Sequence, residues 1–191
     1  MPSTDPLHFL DARRSTPARQ LGEPGPDPAT LLRMLQAASR VPDHGKLEPF
    51  RFLRIAGDAR QALGRRLAEC ALQRDPQLPE AALEKERTRF AFAPVVIAVI
   101  ARPTPNPKVP EIEQLMTAGS VCFALLQAAQ ALGFGAQWLT GWAAFDAEIH
   151  RALGLRENET VAGFVHIGTP KLQAPERGRP DAAALLSDWM P

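Results

Sequence analysis

Leu31, Leu32, Leu35 and Ala38 recur at helical spacing in ATLLRMLQAASR. Asp27 and Pro28 just upstream supply an N-cap and a first-turn proline. The same reading predicts a short helix in DPLHFLDARR, with Asp5 as N-cap, Pro6 at its first position and Leu7, Phe9 and Leu10 on its apolar side. DARQALGRRLAECALQR is amphipathic, with Asp58 as its cap; EAALEKERTRF has helical character, and DAEIHRALG is a capped amphipathic helix. EIEQLMTAGSVCFALLQAAQALG begins acidic and becomes apolar nearly all round, which demands a place in a large core or at a subunit interface. The strand candidates are FRFLRIAG, PVVIAVIA, FGAQWLTG and TVAGFVHIG. PVVIAVIA is rich in β-branched residues and has no polar face, so it reads as a strand buried on both sides. STPARQLGEPGPDP, RPTPNPKVP and TPKLQAPERGRP read as loops and linkers, and DAAALLSDWM closes the chain. Helices and strands are mixed without the regular rhythm of a doubly wound sheet. The expectation is an α+β sandwich, a small sheet flanked by helices, in a single domain over residues 1–191.

Composition narrows the function classes. The chain has 191 residues, 45% hydrophobic and 23% charged, which is a globular composition with enough length for a real core. A net charge of +1 gives no support for general nucleic-acid binding. Two distant cysteines, Cys70 and Cys122, argue against a disulfide framework and suit a reducing cytoplasm. MPSTDPLHFLDARRS lacks the order of a secretory leader, and no run reaches the ~18 continuous apolar residues of a membrane span. Tyrosine is absent, which excludes a tyrosine acid. No Rossmann fingerprint, phosphate-binding P-loop or nucleophile elbow occurs, and His8, His44, His150 and His166 lack metal-ligand spacing. No metal and no catalytic side chain is expected.

Four local features carry candidate chemistry, and each has a plainer alternative. Arg13, Arg14 and Ser15 at a helix end match a phosphate, or simply cap the helix. Arg40 and His44 in SRVPDHGK point at an anionic or aromatic ligand, or else Asp43-His44-Gly45 is a tight turn with His44 satisfied by backbone. In GFGAQWLTG, Gly133 is an ordinary helix C-cap. Gly135 there lets backbone approach a flat ligand lined by Trp138 to Thr140, or Trp138 is core. Gly168, Thr169 and Lys171 in HIGTPK offer a second phosphate contact, or form a plain turn.

The order of these features is more specific than any one of them. A helix ends in Arg-Arg-Ser; a second ends in Arg-x-Pro-Asp-His and is followed by a Pro-aromatic strand start and a buried apolar strand. A long apolar helix then ends in Gly-Phe-Gly with Trp shortly after, and a late strand ends in Gly-Thr-Pro. This run, over about residues 5 to 175, resembles the nitroreductase family, and more closely its small bacterial NAD(P)H nitroreductase subgroup. The resemblance implies a three-layer sandwich with a small mixed or antiparallel sheet, an intertwined homodimer, and one FMN at each of two sites on the subunit interface. It implies that Arg13, Arg14 and Ser15 hold the phosphate and ribityl end of FMN. Arg40 and His44 would reach the same flavin from the partner subunit, and Trp138, Leu139 and Thr140 would form another part of its wall. Residues Ala128 to Gly133 match a region associated with nicotinamide-nucleotide binding. The chain departs from the pattern at Gly45, at Glu48-Pro49-Phe50 and at Leu139, which bears on substrate preference.

The implied activity is hydride transfer from NAD(P)H through FMN to a nitroaromatic, quinone or similar electron-poor acceptor. FMN carries the chemistry, which accounts for the lack of a nucleophile or metal set. A flavin carrier or sensor without turnover, and a flavin-dependent dehalogenase-type enzyme, remain alternatives at this level.

Overall fold

The structure is a computed structural model and describes residues 5–190. The first four residues of the stretch read for a leader, and the last residue of the expected domain, lie outside them. Five strands form one antiparallel sheet: β1 (Leu21–Gly22), β2 (Phe50–Ala56), β3 (Val95–Ala101), β4 (Gly135–Leu139) and β5 (Thr160–Pro170). β5 is the hub. It pairs with β3 through Thr160–Ile167, with β4 through Phe164–Gly168 and with β1 through Thr169–Pro170. β2 lies outside β3.

β3 explains the three layers. All seven of its residues are buried, and alternate residues of a strand point to opposite faces. Val96, Ala98 and Ile100 join one core with Leu63, Leu67 and Cys70 of α3 (Asp58–Arg74). Phe90 and Ile149 of α6 (Ala147–Ala152) complete that side, above α4 (Glu80–Arg87). Val95, Ile97 and Val99 join the other core with Leu31 and Met34 of α2 (Pro28–Ala38) and Val121, Cys122 and Leu125 of α5 (Glu111–Ala131). The expected α+β sandwich with an antiparallel sheet is therefore observed.

α5 is long and apolar enough to cross a membrane by length and composition, yet half of its most apolar window is buried in this fold. Its buried polar groups are satisfied internally: Gln114 exchanges hydrogen bonds with Thr104, and the Thr117 hydroxyl donates to Pro42 O at 3.1 Å. Ile112, Met116 and Phe123 on the same helix are exposed.

Local expectations meet mixed outcomes. Asp27 accepts from Thr30 N–H at 2.9 Å and Asp146 from Ile149 N–H at 2.9 Å, so both caps form. Asp58 is instead the first helical residue, because Gly57 takes the N-cap position at φ 56°. The first helix, α1, spans only His8–Asp11; Asp5 still accepts from Leu7 N–H at 2.9 Å. The closing segment forms one turn, α7 (Ala182–Leu185).

His166 on β5 is almost fully buried, stacked on Phe90 at 5.5 Å between ring centres. Its Nδ1 has no hydrogen-bond partner. Burial, with Arg89 nearby, lowers its pKa to about 4. An unfolded imidazole titrates near 6.5, so between about pH 6.5 and 4 only the unfolded chain takes up this proton. The contribution is complete above pH 6.5 and is lost as pH falls toward 4. Glu159 acts lower: the paired Arg51 guanidinium holds its carboxyl at about 2, so its share is lost as pH falls from about 4.5 to 2. Urea unfolding should therefore lose about 3 kcal/mol between pH 6.5 and 4 through His166. His166→Phe should flatten that window and leave the loss below pH 4.5. An unchanged slope in the variant would assign the effect elsewhere.

Candidate active site

The Arg-Arg-Ser segment is fastened to β4. Thr16 N–H donates to Ala136 O at 3.0 Å, and Ala18 N–H donates to Gln137 Oε1 at 2.6 Å. Gly135 makes the approach possible. A Cβ there would lie 2.9 Å from Thr16 Oγ1 and 2.8 Å from Leu21 Cδ2. Its missing side chain thus admits the chain's own N-terminal segment, where the sequence reading had a flat ligand.

Arg13 Nη1 donates to Ser15 Oγ at 3.3 Å, and Arg14 Nη1 donates to the carbonyls of Asp11 and Arg13. The tail beyond β5 returns to this point. Glu176 pairs with Arg14 and, at 3.1 Å, with Arg179. Arg179 also reaches Arg13 O at 3.5 Å. Burial lowers the pKa of Arg13, and the positive charges of Arg179, Arg177 and Arg14 lower it further. Arg13, Arg14, Arg177 and Arg179 thus gather beside the Ser15 hydroxyl, and Glu176 pairs with Arg14 and Arg179. Arg177 and Arg179 were missed in the sequence, where PERGRP passed as linker; the signal was two arginines beside the last core strand.

Trp138, Leu139 and Thr140 lie at the other end of β4. Trp138 and Leu139 face opposite sides of the sheet, as adjacent strand residues must. Trp138 packs toward α5, its Nε1 donating to Ala162 O at 3.2 Å. Leu139 lines a cleft of about 630 Å³ against α4, together with Pro17, Arg19, Lys85 and Phe92. Trp138 thus faces the α5 side and Leu139 the cleft. Thr140 is exposed.

Arg40 and His44 share one exposed loop, but elsewhere on the molecule. His44 lies in a short 3-10 turn, His44–Lys46, with Gly45 at φ 74°. Its Nδ1 meets Glu113 Oε2 at 2.7 Å, so a carboxylate rather than backbone satisfies the ring. Glu113 sits near the start of α5. Gln130 near its end bonds Phe9 O at 2.8 Å, beside the Arg-Arg-Ser segment. At 1.5 Å per residue the two helix positions are about 25 Å apart. Within one chain, the His44 loop and the segment leading into Arg-Arg-Ser therefore meet opposite ends of α5.

With this geometry in view, the comparisons with known proteins are direct. The nitroreductase family model matches residues 10–169. The chain belongs to the nitroreductase family. It is similar to the Escherichia coli K12 protein named "Putative NAD(P)H nitroreductase YdjA", 36% identical over 170 residues, which cover 89% of this chain and 91% of that one. Among solved structures, a nitroreductase-like family protein from Bacillus cereus superposes with a TM-score of 0.82 at 18% identity, covering 99% of this chain and 98% of that one. A nitroreductase from Desulfovibrio desulfuricans, solved in complex with FMN, gives 0.73 at 24% identity, covering 99% of this chain and all of its own.

Other residues singled out by the nitroreductase resemblance are used structurally. Ala128 and Ala129 are buried in the core, leaving Gln130 to Gly133 at the surface; Gly133 at φ 79° ends α5 as expected. The Thr169 hydroxyl donates to Pro24 O at 2.6 Å, and Lys171 N–H to Gln20 O at 2.8 Å, so HIGTPK closes onto the β1 segment. Both thiols are buried, and burial pushes Cys122 up to about 12. Among the described residues no cluster of His, Cys, Asp and Glu could hold a metal ion.

Trp138 depends on Gly163 across the sheet, where a Cβ would fall 1.9 Å from its Nε1. Gly163→Ala should cost about 1–3 kcal/mol in urea unfolding, as overpacking does, and should shift tryptophan emission. An emission spectrum unchanged from wild type would mean that Trp138 has not moved.

Proposed function

We propose that this nitroreductase-family chain is an FMN-dependent NAD(P)H oxidoreductase acting as a cytoplasmic homodimer, with residues 1–191 as one domain. The observation that carries the reading is the cation cluster of Arg13, Arg14, Arg177 and Arg179 at one end of β4, with an apolar cleft at the other. The donor set fits a phosphate monoester: guanidinium forks and the Ser15 hydroxyl match its oxygens, and charge-assisted bonds to it are the strong kind. Arg13, Arg14 and Ser15 would hold the phosphate and ribityl end. The β4 backbone at Trp138, Leu139 and Thr140 would support the ring beside the cleft. FMN held there would supply hydride-transfer chemistry between a reduced nicotinamide and an electron-poor acceptor such as a nitroaromatic or quinone. The chain's part is to anchor the phosphate, orient the ring and keep the cleft floor apolar.

The Arg-Arg-Ser segment and the Arg40–His44 loop lie toward opposite ends of α5, which supports a two-chain site in which Arg40 and His44 complete the flavin environment of a second copy. Exposed Ile112, Met116 and Phe123 on α5 lie along the face such a copy would cover. Names of relatives that specify NAD(P)H, and a neighbour solved with FMN, favour the same cofactors. Two free, buried cysteines suit a reducing compartment.

The visible spectrum tests the reading. Purified protein should carry flavin absorbance that bleaches under anaerobic NADH or NADPH. Flavin that stays oxidised would leave a carrier or sensor, and protein that binds no added FMN would end the proposal. Arg13→Ala and Arg14→Ala should each weaken FMN binding by about 1.5–3 kcal/mol, the worth of one charge-assisted contact. Affinity equal to wild type in both variants would put the phosphate elsewhere.

A further inference from the structure

The cleft against α4 holds charges that the fold does not use. Its floor is apolar, with Pro17, Ala81, Leu139 and the half-exposed ring of Phe92. The charged groups on its lining are Arg19, Lys85, Arg89 and Glu84. Arg89 is engaged: its Nε donates to Glu86 at 2.7 Å and its Nη2 pairs with the other oxygen of that buried carboxylate. Glu84 faces Arg87 at 3.4 Å, and Arg87 also pairs with Glu80. The remaining two, Arg19 and Lys85, make no side-chain hydrogen bond or ion pair among the described residues. They come from separate elements, the turn after the Arg-Arg-Ser segment and α4, and meet on the lining of one cleft. Gln137 adds donors there, since only its Oε1 is taken, by Ala18.

An apolar floor with two uncompensated cations fits a flat molecule that carries a negative charge at one end. The ring covers Phe92 and Leu139, and the charge meets Arg19 and Lys85. Neutral acceptors would fill the floor and leave both cations unused. We propose that Arg19 and Lys85 form an anion subsite that selects aromatic acceptors bearing a carboxylate over their uncharged counterparts. This rests on the flavin reading above, which puts the ring beside this cleft, so that an acceptor meeting the ring would enter it. A nucleotide phosphate shares the same chemistry, so the test separates the two.

The FMN-loaded protein, oxidised and without reductant, is titrated with p-nitrobenzoate and with p-nitrobenzamide. The readout is the perturbation of the flavin spectrum, which needs no turnover. The carboxylate should bind about tenfold more tightly at low salt, and the preference should shrink as ionic strength rises. Arg19→Gln and Lys85→Gln should each bring the affinity ratio toward one, and Arg19→Glu should invert it. Flavin content and circular dichroism of each variant exclude simple misfolding. Equal affinities in flavin-loaded wild type would overturn the subsite while leaving the flavin reading intact. Variants that raise the KM for NADPH but keep the ratio would assign the cations to the nucleotide phosphate, which also overturns it. A protein that loads no FMN would overturn both readings at once.

Discussion

β5 bonds to three other strands, and the placement of the Arg-Arg-Ser, Trp138–Thr140 and Arg177–Arg179 groups follows from that. Its middle holds β4, and β4 holds the Arg-Arg-Ser segment through Ala136 and Gln137. Its end pairs with β1, and Lys171 N–H then bonds Gln20 O, which aims the departing tail back across the N-terminal segment. Arg177 and Arg179 therefore reach Arg13 although about 165 residues of chain separate them. A cluster of like charges would fly apart on a free chain. Here the strand ladder holds it, and Glu176 offsets part of the repulsion.

The same rigidity limits what one chain can do. α5 is a rod packed against the sheet and α2. It meets the His44 loop at Glu113 and the α1 carbonyl of Phe9 at Gln130, two positions about 25 Å apart along the helix. No rotamer change bridges that distance. If both sets serve one ligand, the second set comes from another copy. The pair of His44 and Glu113 is exposed on both sides and is worth little on its own, roughly 0–1 kcal/mol. It positions the ring without locking it.

What was legible in the sequence was what local physics decides. The uninterrupted Val95–Ala101 run could only be a strand covered on both faces, and Asp27 and Asp146 sat where an N-cap must. The Arg-Arg-Ser, Arg40–His44 and Trp138–Thr140 groups were visible, but their separation was not, because it depends on which end of α5 each meets. β1 was invisible: two residues carry no period. Asp58 failed as a cap because Gly57 could take the positive φ that the turn needs. The opposite facing of Trp138 and Leu139 was available from strand alternation alone once GFGAQWLTG was read as a strand. Arg177 and Arg179 were not, since nothing local marks a segment that closes onto the other end of the chain.

The net charge of +1 hides how unevenly charge is arranged. Several cations elsewhere are neutralised at short range: Arg51 by Glu159, Arg66 by Glu69 and Glu148, Arg74 by Asp146, Arg87 by Glu80. Around β4 the pairing is incomplete: Glu176 pairs with Arg14 and Arg179 only, and Arg19 and Lys85 have no carboxylate partner among the described residues. Pairs formed at contact distance cancel beyond a Debye length of about 8 Å, whereas unpaired cations act on whatever enters the groove beside them. A chain with almost no net charge can therefore present a track of incompletely paired cations, from Arg13 and Arg177 to Arg19 and Lys85 at the cleft. A flavin nucleotide and anionic partners of its chemistry would be drawn to that track, with no general affinity for polyanions implied.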